Sequence, residues 1–416
     1  MKMFRKRKSI PVLCTALILF AGSYAVVAQN GTSTASGPQL NAIQTAVPFM
    51  TITPDSRAGA LGDVGVATSP DINSQNWNSA KYPFMKSDGG VALSYTPWLR
   101  KLINDINLAY LVGFYKFNDN QVISGSLRYF SLGQIIYTDE YGFPYGTYAP
   151  NEFAVDVGYS RLLTDRFSGG IIFRFIRSDL TGGTFVGGDA TKAGIAFAGD
   201  LGFYYRNAEM ILGDKNGTLA FGVNVSNMGN KIAYSENSDK VFLPINLKLG
   251  GALTIEIDNY NTISFMADVN KLLVPTPPIY DTDSLGRPMF DDDGDKLIKF
   301  GRDPNVPTPV GMVQSFYDAP GILMDDGTRS VFREEINEIM IGLGMEYWYR
   351  EQFAIRAGYF HEHQTKGNRK YFTLGVGLRL NVFALDFSYL VPVKQNNPLA
   401  NTLRFTLGFE FGKSGI

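Results

Sequence analysis

Apolar and polar residues alternate with period two along most of this chain. In the last such stretch, Leu403, Phe405, Leu407, Phe409 and Phe411 fall on one face, with Arg404, Thr406, Gly408 and Glu410 on the other. A helix would scatter these positions, whereas a strand sorts them cleanly. Phe372, Leu374, Val376, Leu378 and Leu380 repeat the pattern opposite Thr373, Gly375, Gly377 and Arg379. So do Phe153, Val155, Val157 and Tyr159 opposite Asp156, Gly158 and Ser160. The pattern predicts fourteen strands over 89–96, 106–117, 121–132, 152–161, 167–176, 192–206, 217–226, 243–256, 261–270, 338–349, 353–362, 370–380, 383–391 and 402–411. An even count suits a single-chain barrel whose two ends lie on the same side.

The connections alternate in length. Asn118–Asn120, Leu162–Arg166, Ile257–Tyr260, Arg350–Gln352 and Asn381–Val382 are short, and Asn207–Asn216 is modest. The connections between them include 133–151, 177–191, 227–242 and 271–337. Short turns facing the periplasm and long loops facing outward are the habit of outer-membrane barrels. A soluble β-sandwich has no reason to alternate in this way. The expected fold is therefore all-β, a transmembrane barrel of about fourteen antiparallel strands. Aromatic residues cluster near the strand ends, at Tyr115 with Phe117, Tyr129 with Phe130, Tyr347 to Tyr349, and Tyr359 with Phe360. They read as interfacial girdles.

The N-terminus agrees with export. Lys2, Arg5, Lys6, Arg7 and Lys8 precede an apolar run from Ile10 to about Val27, and Val26 and Ala28 are small residues before a cut at Gln29. Residues 1–28 thus read as a cleaved signal peptide. Cys14, the only cysteine, lies within the apolar run and is read as filler. The mature chain then has no thiol for a disulfide or a metal. Five of the 38 Lys and Arg residues leave with the signal, and none of the 39 Asp and Glu residues does, so the mature charge is −6. No basic block remains, which argues against nucleic acid as a partner. Aromatic residues make up 13% of the chain and no second apolar run is long enough for a membrane helix, a combination that fits a closed barrel in outer-membrane lipid.

Residues 29–88 come before the first strand. A polar lead, Asn30 to Ser36, is followed by Phe49-Met50-Thr51-Ile52-Thr53-Pro54-Asp55-Ser56-Arg57-Ala58-Gly59-Ala60-Leu61-Gly62. Small residues permit close approach and tight turns. Some sixty residues cannot build a core of their own. The segment is expected to tuck into the barrel as a plug, with Pro54, Asp55, Arg57, Gly59 and Gly62 in its path and Trp77 and Asn78 as its anchor.

No catalytic set stands out. His361 and His363 would share one face of a strand but lack further ligands for zinc. Asp291-Asp292-Asp293-Gly294-Asp295 resembles half of a calcium loop, yet Phe300 occupies the position of the closing glutamate. Asp281, Asp283 and Asp303 could add oxygens, but a charged external loop is the simpler account. Gly182-Gly183 and Gly187-Gly188 lack the strand-to-helix context of a phosphate loop and read as hinges. Ser124-Gly125-Ser126 lies within a strand and offers no nucleophile. Neither a metal nor a cofactor is called for. The loop 271–337 is unusual: it is proline-rich, it is too long for a structureless connection, and it carries the apolar run Val310 to Pro320. Apolar residues outside a cell either pack over the mouth or form a docking surface.

Several motifs resemble the PorV family (also called LptO) of outer-membrane components of the type IX secretion system. They are Thr51-Ile52-Thr53-Pro54-Asp55-Ser56-Arg57-Ala58-Gly59, Asn76-Trp77-Asn78, Ser94-Tyr95-Thr96-Pro97-Trp98-Leu99-Arg100, Ser315-Phe316-Tyr317-Asp318-Ala319-Pro320-Gly321, and Lys366-Gly367-Asn368-Arg369-Lys370-Tyr371-Phe372-Thr373-Leu374-Gly375. They follow one another along nearly the whole mature chain. The resemblance implies a FadL-like barrel of fourteen strands with an N-terminal plug. It also implies a cargo shuttle rather than an enzyme. Such proteins engage the SprA/Sov translocon, receive secreted cargo by its C-terminal signal domain, and deliver it to an attachment complex with a PorU-like sortase. The Asp-rich insert around 281–303 is longer than the family leads one to expect, and no role is carried over to it.

Two other classes compete. A FadL-like transporter of hydrophobic small molecules would use the same barrel. Its lumen, however, would be lined by Arg128, Asp156, Arg174, Lys248, Glu256, Asp268, Glu346, Arg356, Arg379, Asp386, Arg404 and Glu410, which suits lipids poorly unless they leave through the wall. An outer-membrane enzyme would need a catalytic set at the rim, and the chain has only two histidines, two residues apart. On the shuttle reading, Trp98, Leu99, Arg100, Phe316 and Tyr317 are the candidate contacts for cargo or partner, because they are bulky or charged residues in outer loops.

Overall fold

The computed structural model describes residues 40–412, apart from 139–140, 184, 187–188, 237, 284, 286, 293 and 395–396. The leader expected over 1–28, the polar lead 30–36, the Gly187-Gly188 pair and Asp293 lie outside the described residues.

Fourteen antiparallel strands close into one barrel. We number them β1 (Gly89–Pro97), β2 (Ile106–Asn118), β3 (Gln121–Leu132), β4 (Asn151–Thr164), β5 (Phe167–Asp179), β6 (Gly194–Leu212) and β7 (Lys215–Gly229). The remainder are β8 (Asn246–Glu256), β9 (Asn261–Leu272), β10 (Met340–Tyr349), β11 (Phe353–His361), β12 (Lys370–Leu380), β13 (Phe383–Pro392) and β14 (Leu403–Phe411). Each strand pairs with its sequence neighbours, and β1 closes the ring on β14 with Val91 opposite Phe409 and Leu93 opposite Leu407. Closure leaves no edge unpaired, the condition for backbone in hydrocarbon.

Period two decides which side chains meet lipid. In β5, Ile171 and Phe173 are exposed while Ile172, Arg174 and Ile176 are buried. In β14, Phe405, Leu407 and Phe409 face outward, and Arg404 and Thr406 face the lumen. Among the described residues no helix is long and apolar enough to cross a membrane.

The short turns need little chain. Arg350 and Glu351 both adopt positive φ, 53° each, as a tight hairpin between β10 and β11 requires. The connection expected over 207–216 is not a loop. β6 and β7 run on in register past the neighbouring strands to a turn at Gly213 and Asp214, with an irregularity between Asn207 and Met210. The polar residues there signal water around a protruding hairpin, not an end of pairing.

The long connection, 273–339 in the structure, is not structureless. A ribbon joins Ile279–Tyr280 to Ile298–Phe300. Helices α3 (Thr308–Gln314) and α4 (Val331–Asn337) follow. Pro307 and Pro309 border or begin α3, where a missing N–H costs nothing. Ser330 caps α4 by accepting from the Arg333 amide.

Part of the girdle expectation needs correcting. Tyr115 and Phe117 do stand outside, edge to face at 5.8 Å. Phe130 and Phe360, however, are buried inside, and Phe360 stacks on Tyr371 at 5.1 Å. Consecutive residues of a strand point to opposite faces, so only one of an adjacent pair can be a girdle residue.

Candidate functional site

The segment from Leu40 to Asp88 lies against the barrel's inner wall, and its polar groups are answered by lumen-facing side chains. Helix α1 (Ser56–Gly59) starts at Asp55, whose Oδ2 accepts the Ala58 amide at 2.9 Å. The other oxygen of Asp55 accepts from the Trp77 indole at 2.7 Å, fastening the two ends of the segment together. Trp77 closes α2 (Ser74–Trp77) and is buried beside Gly65, where no Cβ would fit. Asn78 donates to the carbonyls of Val66 (3.2 Å) and Phe203 (2.9 Å) and accepts from the Ala80 amide at 3.1 Å. Pro54 is buried just before the cap.

Arg57 is the centre of the charge network. Its guanidinium forks onto Glu346 of β10 and also reaches Asp71 at 3.0 Å. Glu346 in turn binds Arg356 of β11 at 2.6 Å, and Arg356 binds Asp386 of β13 at 2.7 Å. Arg379 joins at Asp386. Across the lumen Arg174 holds Asp156 and Asp200. Asp268 accepts the Gly65 and Val66 amides at 2.8 and 3.0 Å, and Lys81 donates to the Gly65 carbonyl at 2.7 Å. Every charge here has a counter-charge or a backbone dipole, as burial demands. Of the residues expected to line the lumen, Glu256 departs. It ends β8, is exposed, and accepts from Asn216 at 3.3 Å.

Close approach explains the small residues. Gly59 lies against the Arg404 side chain. Gly62 has φ +70°, and a Cβ there would come within 2.6 Å of the Tyr359 carbonyl oxygen. Its amide donates to Thr373 Oγ1 at 2.9 Å.

Above this polar layer sits an apolar one. Val47, Phe49 and Met50 pack with Ile106, Leu108, Phe130, Ile176, Ile232, Phe242 and Leu273 near the ends of the strands that carry the long loops. Trp98 and Leu99 pack partly against this cluster, as do Val306 and Met312 of the long loop. The mouth is therefore sealed twice.

The outer-loop candidates separate into two kinds. Trp98 and Leu99 are half-buried in the seal, while Arg100 is exposed. Phe316 and Tyr317 project, 51% and 47% exposed, with Lys271 near the first ring and Arg302 over the second at 4.6 Å. On α3, Val310 and Val313 are exposed too, and Phe332 and Ile336 do the same on α4.

Directly after Tyr317 the chain dives inward to a cluster that the sequence reading did not single out. Lys271 binds Glu335 at 2.9 Å and Glu338 at 2.6 Å. Lys366 binds Glu334 at 2.6 Å and Glu338 at 3.0 Å. Thr276 donates through its hydroxyl to Glu338 and through its amide to Asp318 Oδ2 at 3.2 Å. Burial, before any neighbour, pushes the Asp318 carboxyl up to about 7. Glu335 and Glu338 push the same way, and the Thr276 amide and Lys271 oppose them. Burial and Glu338 likewise raise Glu335. The available signal was Glu334 and Glu338, four apart across the end of one helix, beside Glu335.

His361 and His363 do not converge; one lies beside the Tyr359 hydroxyl and the other beside Thr365. In the Asp-rich loop the Asp295 amide donates to Asp291 Oδ1 at 2.8 Å, closing a turn on itself. Among the described residues no group of three or more His, Cys, Asp or Glu side chains is placed to hold a metal ion.

The family described as type IX secretion system protein PorV matches residues 35–279, more than half of the chain. Nothing among curated proteins matches. Solved structures similar to the chain include the Pseudomonas putida toluene transporter TodX, at 9% identity and a TM-score of 0.45, covering 89% of this chain and 98% of that one. A Pseudomonas aeruginosa FadL homologue is similar at 11% identity and a TM-score of 0.41, covering 89% of this chain and 100% of its own. The Ralstonia pickettii toluene transporter TbuX follows at 11% identity and 0.40, covering 86% and 98%.

Proposed function

The chain belongs to the PorV family of type IX secretion system proteins, and from that premise we propose that it is an outer-membrane shuttle for secreted proteins. It binds the C-terminal signal domain of cargo at a SprA/Sov-type translocon and delivers it to an attachment complex with a PorU-like sortase. A leader over residues 1–28 brings it to the membrane, and the long loops face the cell exterior. Its work is done by binding, without catalysis and without a cofactor.

One observation carries this reading. The mouth of the barrel is sealed, yet the segment that seals it presents Phe316 and Tyr317 to solvent. Aromatic rings ordered beside a sealed mouth suit the capture of a folded surface. Val310 and Val313 widen the same patch.

The competing reading, a transporter of hydrophobic small molecules, is disfavoured by the lumen. Arg57, Glu346, Arg356 and Asp386 form a buried chain of ion pairs across the path. An apolar solute entering there would strip charged groups of partners, at several kcal/mol each.

The test uses the full chain in its own membrane. Phe316→Ser with Tyr317→Ser is expected to leave the amount of folded barrel unchanged, to lower co-purified cargo at least fivefold, and to let unprocessed cargo accumulate. Unchanged barrel with unchanged cargo capture would remove this patch as the docking surface.

A further inference from the structure

The cluster behind Phe316 and Tyr317 is unbalanced in charge. Four carboxylates, Asp318, Glu334, Glu335 and Glu338, surround two ammonium groups, Lys271 and Lys366. All six side chains are buried or nearly so. The two lysines can neutralise two of the three glutamates. Ionised Asp318 would then add a second uncompensated charge in a dry site. The charged groups that face it are Glu335 and Glu338, from α4 and its end, and Lys271, from β9. Lys366 and Glu334 lie beyond them, tied to each other. One Asp318 oxygen takes the Thr276 amide, while Oδ1 is buried with no hydrogen-bond partner among the described residues.

The cluster is also where separate pieces of chain meet. Asn41 donates to Glu334 (3.0 Å) and to the Pro277 carbonyl (3.1 Å), bringing in the start of the plug segment. The Ala319 amide donates to Glu335 at 3.1 Å, bringing in the turn that follows the aromatic pair. The strip that carries Phe316 and Tyr317 is thus tied through this cluster to the plug segment at Asn41 and to the end of β9 at Lys271.

We propose that the cluster is a proton-controlled latch, closed when Asp318 is protonated and loosened when it ionises, which sets how firmly the Phe316–Tyr317 strip is held over the mouth. This deepens the docking reading above and rests on it for its purpose, though not for its mechanism.

The sign follows from linkage. A carboxyl raised in the closed state binds its proton more tightly there than in the open state. Closure is therefore strongest in acid, weakens as pH rises from the ordinary carboxylate value, and levels off above about 7. With an ordinary carboxyl in the open state, the opening constant rises about tenfold between pH 6 and pH 8.

Hydrogen exchange on the full-length barrel in detergent or nanodiscs reads this directly at the amides of Ser315 to Ala319, after correction for intrinsic rates. Wild-type protein is expected to show the tenfold rise. Asp318→Asn, neutral at every pH, is expected to lose most of that rise, with Glu335 supplying any remainder, and the exposed-loop control Asp326→Asn is expected to match wild type. Should Asp318→Asn fail to fold, Glu335→Gln removes one facing negative charge and is expected to move the midpoint to lower pH. A flat wild-type profile, a tenfold rise that survives in Asp318→Asn, or an unmoved midpoint in Glu335→Gln overturns the latch. No cargo enters this readout, so a failure of cargo capture with the exchange profile intact would count against docking and leave the latch standing.

Discussion

Arg57 of the plug and Glu346 of β10 meet as a fork, Nε to Oε2 at 3.0 Å and Nη2 to Oε1 at 2.8 Å, with both side chains almost fully buried. Such a pair contributes little net stability compared with apolar groups, but losing one partner strands a buried charge. Arg57→Met alone also strands Asp71. It is expected to cost about 3–5 kcal/mol and to lower the temperature at which the barrel unfolds in detergent. Glu346→Gln leaves Arg57 with Asp71 alone and Arg356 with Asp386 alone, and should cost somewhat less. The double variant is expected to fall well short of the sum of the two. Additive losses would mean that the fork does not couple plug to wall.

Gly62 tests the same junction sterically. A methyl group there meets backbone, not a movable side chain, at Tyr359 and Leu343. The positive φ adds about 1 kcal/mol of strain. Gly62→Ala is expected to displace the plug, seen as new protease cleavage between residues 40 and 88. Gly142→Ala has a similar φ of +85° but nothing within 4 Å, and should leave the plug protected. Equal protection in both variants would show that the plug does not need this contact.

These two contacts also mark the limit of sequence reading. Alternation located all fourteen strands, because the side that meets lipid and the side that meets the lumen differ in every strand. The plug's placement was expected from its size and its glycines. Its partners were not, since Arg57 and Glu346 are 289 positions apart and nothing local pairs them. Lys271, Lys366 and the α4 glutamates went unnoticed for the same reason. Spread over the end of β9, the long loop and the β11–β12 connection, they look like ordinary solvated charges until the chain folds. The ribbon over 279–300 was hidden by its brevity, because two- and three-residue strands carry no period.

The lipid face gives a direct contrast within one strand. Phe173 lies midway along β5 and is 69% exposed, whereas Arg174 beside it holds two aspartates in the lumen. Phe173→Arg is expected to cost about 2–4 kcal/mol, as a cation facing hydrocarbon near the midplane does. Its signature is a lower yield of heat-modifiable barrel. Arg174→Leu should also destabilise, by stranding Asp156 and Asp200, and adding Asp156→Asn with Asp200→Asn should recover part of the loss. A harmless Phe173→Arg would place that face away from lipid.

Orientation is a separate expectation. A tag within Asn118–Asn120 should be hidden on intact cells, and one at Asp291–Asp292 should be accessible to antibody. Surface labelling at Asn118–Asn120 would invert the topology and with it the placing of the docking patch.

The sequence groups Trp98 and Phe316 as candidate contacts, and the structure gives them different surroundings. Trp98 is half-buried against the apolar seal, so truncation leaves a gap beside that cluster. A fully buried tryptophan cut to alanine costs about 3–5 kcal/mol, and half-burial brings this to roughly 2 kcal/mol. Trp98→Ala is therefore expected to loosen the mouth, giving faster protease cleavage in 98–105 and 230–245, and to lower cargo capture only as a consequence. Phe316 is more than half exposed, with the Lys271 ammonium 5.7 Å from its ring centroid. Phe316→Ala should leave the loops as resistant to protease as wild type while capture falls. The ratio of the two effects separates the roles: for Trp98 the structural change comes first, and for Phe316 the binding change comes alone. If Phe316→Ala opens the mouth as Trp98→Ala does, the ring is part of the seal and the docking surface must be sought among Val310, Val313 and Tyr317.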